Sequence, residues 1–368
     1  MTKHSMDIKY SIIIPTLYRA ANLKKCLTCL SKVNFDANVF EVLVIDNGPT
    51  DDIKHVADSF KNKVSCLQYF VSDMPGLHTG RNLGLKKAKG EILCYIDDDS
   101  FVTEGWLKGI SKAFEDPKVA LVGGPCLPEF DGDPPGWLDY FWSECEFGKT
   151  LADLSLLDFG EKLMPIPPIY VYGCNFNIRK DILLKLEGFH PDAFPKNLLR
   201  FRGDGETYVS RKLVDMGYEF LYCPDVKIYH FVSASRMTKD YFCNRSYIQG
   251  ISNSFVQIRK QHGLNTEFVR GLCGRERYSK GKENKILSKM KILIAFFKKA
   301  GNYVKYRLEL YRKQADAEYT AYLKVKHAAR MRGEEGFKFH QAEVKHWPSL
   351  LEWVLRKNYL GQNGKLPE

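Results

Sequence analysis

Residues 90–102 read GEILCYIDDDSFV. The apolar run Ile92-Leu93-Cys94-Tyr95-Ile96 has no in–out alternation, so it predicts a strand buried on both faces, as in a parallel sheet. It stops at three adjacent carboxylates, Asp97, Asp98 and Asp99. These repel one another and gain nothing from burial, so either solvent or a cation must hold them. One reading is a solvated turn in which Asp99 or Ser100 caps the next helix. The other is a site, and the surrounding chain has to separate the two.

Upstream, strand and helix signals alternate. YSIIIPT predicts a strand broken at Pro15. ANLKKCLTCLSKV predicts an amphipathic helix with Leu23, Leu27 and Leu30 on one face. EVLVIDNGPTDD gives a second buried strand ending in Asp46, Asn47 and Gly48, followed by the helix DIKHVADSF. VSCLQYFVS gives a third strand, and GLHTGRNLGLKKAKG a glycine-bounded helix that leads into residues 90–102. This alternation is the pattern of an open α/β sheet. The strands end in Thr16, in Asp46-Asn47 and in Asp97 to Asp99, and in such sheets the carboxyl edge is where ligands bind. No glycine-rich dinucleotide fingerprint follows the first strand, and there is no Walker A loop.

From Cys126 to Pro168 the pattern turns irregular, with Pro, Gly and Trp. A long insertion of this kind in a compact domain is usually a binding loop or lid. Within it Trp137, Tyr140 and Trp142 either stack on a bound ligand or pack the loop itself. IYVYGCNFNIRKDILLKLEGF then predicts a strand and a helix. FRGDGETYVSRKLVDMGYEFLYCPDVKIYH predicts a loop, a helix and a strand ending at His230. Beyond about residue 235 the signals are helical.

The 368 residues are 44% hydrophobic and 13% aromatic, which excludes wholesale disorder. Ten cysteines show no framework. Cys26 and Cys29 form a C-x-x-C pair with no second pair at zinc spacing, and within a helix they read as small core side chains. With no secretory signal segment, a reducing cytosolic compartment is expected. No apolar run approaches the roughly 18–20 residues that span a bilayer. Of the net charge of +11, most belongs to residues 281–368, with 19 Lys and Arg against 9 Asp and Glu. There, residues 286–313 place Ile286, Met290, Leu293, Ile294, Phe297, Val304, Leu308 and Tyr311 on one helical stripe with lysines mostly off it. Such a stripe docks on the protein or a second copy, or lies on an anionic membrane surface. No nucleic-acid-binding module accompanies the charge.

SIIIPTLYRAANLKKCLTCL, EVLVIDNGPTD, GLHTGRNLGLKKAKGEILCYIDDD and YGCNFNIRKDILLKLEGF occur in that order, and at these spacings the set resembles glycosyltransferase family 2. The resemblance covers roughly residues 8–235. It implies an α/β GT-A fold, a Rossmann-like open mixed sheet flanked by helices, here with a mainly helical C-terminal extension. Residues 1–235 would be the catalytic domain, binding the nucleotide-sugar up to about residue 125 and the acceptor from about 126. Residues 236–368 would be a basic helical region.

Residue by residue, the resemblance implies that Pro15, Thr16 and Arg19 line the nucleotide pocket. Asp46 with Asn47 would bind base or ribose, although Asp46 can equally form a turn before Gly48. Arg81 and Asn82 match the family's Arg-Asn segment, but His78-Thr79-Gly80 stand before them where small residues are usual. Asp97 and Asp98 would approach the donor, Asp99 would coordinate Mn²⁺ or Mg²⁺, and His230 would be a further metal ligand. The family's adjacent acidic pair is missing. Glu206 stands where the base is expected, with Asp204 as second choice, and both can also be helix-start acids favoured by the macrodipole.

The implied activity is inverting, metal-dependent transfer from an NDP-sugar, UDP-linked first, to a glycan or lipid-linked acceptor, on the inner face of the cytoplasmic membrane. The rivals are an NDP-sugar nucleotidyltransferase, whose glycine-rich phosphate loop is lacking, and a non-catalytic glycan-binding protein.

Overall fold

A computed structural model describes residues 7–64, 66–264, 317–360 and 366–367. The apolar run that opened the sequence is a fully buried central strand, β4 (Ile92–Ile96). It pairs in parallel with β1 (Tyr10–Thr16), which pairs in parallel with β2 (Phe40–Asp46) and through it with β3 (Leu67–Val71). On its other side β4 pairs antiparallel with β12 (Asn175–Arg179). Strands β6 (Val119–Gly123), β13 (Glu219–Tyr222) and the short β11 (Met164–Pro165) complete an eight-stranded mixed sheet in the order β11-β13-β6-β12-β4-β1-β2-β3. This is the expected open mixed α/β fold. In register, Thr16 lies opposite Asp46, and Tyr95 lies opposite Ile13. The carboxyl ends of β1, β2 and β4 therefore share one edge.

Helix α1 (Ala20–Leu30) buries Leu23, Cys26, Leu27 and Leu30, positions three and four apart that form one face. Cys26 is core, as expected of the C-x-x-C pair. Helices α2 (Asp51–Phe60), α3 (Leu77–Lys87), α4 (Trp106–Ala113), α5 (Lys180–Lys185) and α6 (Glu206–Asp215) connect the strands.

Two expectations are corrected. The first strand is not broken at Pro15 but runs on to Thr16. Thr16 O accepts from Asn47 N on the β2 side, so Pro15 turns toward β4, whose pairing has already ended at Ile13–Tyr95. A missing N–H costs no ladder bond there. The stretch from Cys126 onward is not merely irregular either. A second, six-stranded sheet forms from β5 (Ser100–Val102), β7 (Cys126–Phe130), β8 (Ser143–Cys145), β9 (Gly148–Leu151), β10 (Leu156–Asp158) and β14 (Ile228–Val232). Its strands are too short, and too broken by Pro and Gly, to show a period.

After Thr238, whose side chain accepts from Tyr241 N at 3.2 Å, helix α7 (Lys239–Gln261) runs along α8 (Ala317–His346). The two approach so closely that a Cβ on Gly250 would lie 2.0 Å from Gly333 O, and one on Gly336 2.0 Å from Tyr247 O. Helix α9 (Pro348–Val354) closes against the loop before α6. The basic stripe at 286–313 lies outside the described residues. No helix among the described residues is long and apolar enough to cross a membrane.

Candidate active site

The three carboxylates are held by cations of the protein itself: Arg19 for Asp98 and Asp99, and Arg81 for Asp97. Thr16 Oγ1 donates to Asp98 Oδ2 at 2.6 Å. Arg19 sets one nitrogen 2.6 Å from Asp98 Oδ1 and the other 2.6 Å from Asp99 Oδ2. Tyr18, at φ 57°, turns the chain between β1 and Arg19. Asp98 and Asp99 are buried, whereas the Arg19 side chain is 45% exposed, an arm laid over the pair from outside. Burial, added to by the neighbouring carboxylates, lifts the Asp98 carboxyl to about 7 despite Arg19. Burial also opposes ionisation of Asp99. His230, Arg19 and Arg236 outweigh it and hold that carboxyl well below the usual range.

The second sheet delivers His230. Strand β14 pairs antiparallel with β5 so that His230 lies opposite Ser100, and Phe231 N donates to Asp99 O at 2.8 Å. His230 Nδ1 lies 2.9 Å from Leu154 O. A carbonyl only accepts, so Nδ1 carries a proton, and Nε2 faces Asp99 Oδ1, 3.5 Å away. Burial opposes charge on the ring, but Cys174 and Asp99 outweigh it and raise its pKa, so Nε2 becomes a free lone pair once its proton is displaced. That Asp99 oxygen is buried and has no hydrogen-bond partner. A carboxylate oxygen and an imidazole lone pair facing each other at this spacing fit a divalent cation, and the mixed O/N donor set suits Mn²⁺ better than Mg²⁺.

Beside this pair, Arg81 reaches from α3 and is 1% exposed. It donates to Asp97 Oδ1 at 2.8 Å and to Gly173 O at 2.7 Å, and its other nitrogen lies 3.7 Å from Glu206 Oε2. A Cβ on Gly173 would fall 2.5 Å from the guanidinium and 3.0 Å from Glu206 Oε1, which explains a glycine there. Glu206 opens α6 with 32% of its side chain exposed. Burial opposes its charge, but His78 and Arg81 hold the carboxyl well below the usual range. Asp204 is closed in: His190 Nδ1 lies 2.6 Å away and Arg211 2.9 Å, and only 3% of its side chain is exposed. Between the two acids, only Glu206 keeps an open face.

His78 was not among the expected site residues, and its one signal in the sequence was a bulky ring where small residues were expected. His78, Asp192 and Glu206 bring potential ligand atoms within 4.8 Å of one another. Arg81 and Arg202, the latter 2.6 Å from Asp192, already balance these carboxylates. The cluster is therefore a compensated ion network.

The remaining expected residues serve the fold as well as the edge. Asp46 accepts from Gly48 N at 3.0 Å and from the Tyr69 hydroxyl at 2.7 Å, so the turn reading describes its contacts. Asn47 lies buried against Gly80. Asn82 pins Phe189 by both amide atoms, each at 2.9 Å. Trp137 packs edge-on to Phe141 and Phe242, Tyr140 against Tyr319 and Tyr322, and Trp142 beneath Lys149. Of these, Trp137 and Tyr140 bind the insertion to α7 and α8.

Residues 11–184 match Glycosyl transferase family 2, so the chain carries a family 2 glycosyltransferase domain. It is 26% identical over 217 residues to the glycosyltransferase AglE of Haloferax volcanii, covering 59% of this chain and 64% of that one. It is 32% identical over 128 residues to a GalNAc(5)-diNAcBac-PP-undecaprenol beta-1,3-glucosyltransferase of Campylobacter jejuni, covering 34% and 40%. The chain thus spans less than two thirds of the length of these relatives. The mannosyltransferase PcManGT of Pyrobaculum calidifontis, solved with GDP-Man and Mn²⁺, superposes over 96% of this chain and 84% of that one at 15% identity and a TM-score of 0.48, a likeness too slight to carry an inference.

Proposed function

We propose that this chain transfers a sugar from a nucleoside diphosphate donor, UDP-linked first, to a hydroxyl of a glycan or lipid-linked acceptor with inversion at the anomeric carbon. The observation that carries the reading is the adjacency of two devices at one sheet edge. Asp99 and His230 offer a cation site, and Arg81 ties the neighbouring Asp97 to Glu206. The Campylobacter relative's name specifies a diphosphate-lipid acceptor, which supports the lipid-linked alternative.

Asp99 and His230 would hold the metal, which when bound offsets the charge that develops on the departing diphosphate. Glu206, ionised at neutral pH, takes the proton of the acceptor hydroxyl as its oxygen bonds to the anomeric carbon. The bond from that carbon to the diphosphate breaks on the opposite face. Arg19, whose side chain is 45% exposed over Asp98 and Asp99, would meet the diphosphate if a metal took over the charge of those carboxylates. In this reading residues 1–235 carry the chemistry and 236–368 brace the acceptor side. Contact of 286–313 with an anionic membrane or a second copy belongs to the same proposal.

The test is calorimetry of a UDP- and GDP-sugar panel with and without Mn²⁺, followed by nucleotide release. Divalent-dependent binding that Asp99→Ala abolishes is expected. Glu206→Gln should bind donor as the parent does and turn over at least about a hundredfold more slowly. Equal donor binding by Asp99→Ala, or full turnover by Glu206→Gln, defeats the assignment concerned.

A further inference from the structure

His78 lies one turn before Arg81 on α3 and is 1% exposed, with its ring edge-on to Phe189 at 5.2 Å. Its Nε2 is 2.8 Å from Glu206 Oε2. A carboxylate oxygen only accepts, so the proton between them sits on Nε2. Nδ1 is buried and has no hydrogen-bond partner among the described residues. Arg81 Nη1 lies 3.2 Å from His78 Nε2; a guanidinium only donates, so with the proton on Nε2 the two groups stand side by side as donors to the carboxylate. Arg81 Nη1 approaches the same oxygen at 3.7 Å. Both donors thus converge on Oε2 and leave Oε1 as the oxygen that can face a substrate. Gly205, at φ +53°, permits this closure, since a Cβ there would lie 2.6 Å from Asp192 Oδ2 and 2.9 Å from His78 Cε1.

We propose that His78 is the positioning residue of the base, its Nε2–H fixing Oε2 of Glu206 so that Oε1 is presented to the acceptor hydroxyl. The proposal rests on the reading of Glu206 as base. The charged groups facing Glu206 are His78 and Arg81 from α3 and Asp192 and Arg202 from the segment before α6, while Arg211 and Arg245 line the same hollow. An Nε2–H of His78 donating to an ionised Glu206 is the working state. Loss of the donor makes the carboxylate easier to protonate, so the acid limb of activity moves to higher pH.

Two arms test this. In the first, nitrogen NMR of histidine-labelled protein reads the tautomer. His78 should be protonated at Nε2 in the parent and lose that bias in Glu206→Ala; an Nδ1-protonated ring in the parent overturns the proposal whatever the activity. In the second, nucleotide release is followed with the NDP-sugar that binds in the calorimetric panel. His78→Ala should lower kcat on the order of ten- to a hundredfold, leave donor affinity within about twofold and shift the acid limb upward. His78→Gln, which can offer an N–H at the same reach, should restore most of the loss. On a Glu206→Gln background, His78→Ala should cost nothing further. A parental kcat in His78→Ala, or the same loss on that background, overturns the proposal. A fully active Glu206→Gln overturns instead the reading of the base on which it rests.

Discussion

Arg81 donates to Asp97 at 2.8 Å from a position buried beneath the site, and through this contact the end of β4 is tied to the start of α6. Asp97 and Glu206 lie on elements far apart in sequence, and one guanidinium compensates both. Arg81→Ala should therefore cost about 3 kcal/mol, since two carboxylates and the Gly173 carbonyl lose their donor. Arg81→Lys should recover only part, because an ammonium cannot fork. Urea denaturation measures this, and a change in Arg81→Ala within about 0.5 kcal/mol would show the network to be slack.

Arg19 holds Asp99 by Oδ2, the oxygen beside the one that would face a metal, and places a positive charge there. Arg19→Ala should bind Mn²⁺ more tightly without nucleotide, by several-fold, yet bind nucleoside diphosphate more weakly. In the parent, Mn²⁺ affinity should climb as pH rises through about 7, where the Asp98 carboxyl loses its proton. Mn²⁺ titrations followed by electron paramagnetic resonance read both. Affinity that is flat between pH 6 and 8 would contradict the raised Asp98.

Gly250 leaves no room for a methyl group beside Gly333. Gly250→Ala should push α7 from α8 and destabilise by about 1–3 kcal/mol, whereas Gly263→Ala, at an open position with φ +70°, tests backbone strain alone. Thermal midpoints compare them. An unchanged midpoint in Gly250→Ala would mean that the helices separate freely.

His340 is wholly buried on α8, with Nδ1 2.8 Å from Ser254 Oγ. Burial pushes its pKa down to about 4 from 6.5. The unfolded chain then takes a proton that the folded one refuses, so stability present above pH 6.5 is lost as pH falls toward 4. The loss is about 3 kcal/mol. His340→Gln should flatten that part of the stability–pH curve, and an unaltered slope would reassign the effect.

The central strands were legible because runs such as Ile92 to Ile96 are buried on both faces and carry no competing period. The strand-end carboxylates were legible for the same reason, since polarity begins abruptly where each run stops. What held them was not. Thr16 and Asp98 are 82 residues apart and Arg19 and Asp99 80, and nothing local links them. The second sheet was hidden because β5, β8 and β10 are three residues each. The choice between Glu206 and Asp204 stayed open in the sequence because both sit at one helix start. Only the long-range partners His190 and His78 tell a sealed acid from an open one.

Helices α8 and α9 also bear on how the protein comes into being. Trp353 Nε1 donates to Phe201 O at 2.9 Å, and Arg259 donates to Val354 O at 2.8 Å. The segment that carries Asp204 and Glu206 is thus braced by residues synthesised some 150 positions later. On the ribosome β1 to β4 can pair early, while the segment that carries Asp204 and Glu206 has to wait for the 350s to emerge. A nascent chain arrested before that point would hold half a site, with Phe255 and its neighbours bare to chaperones.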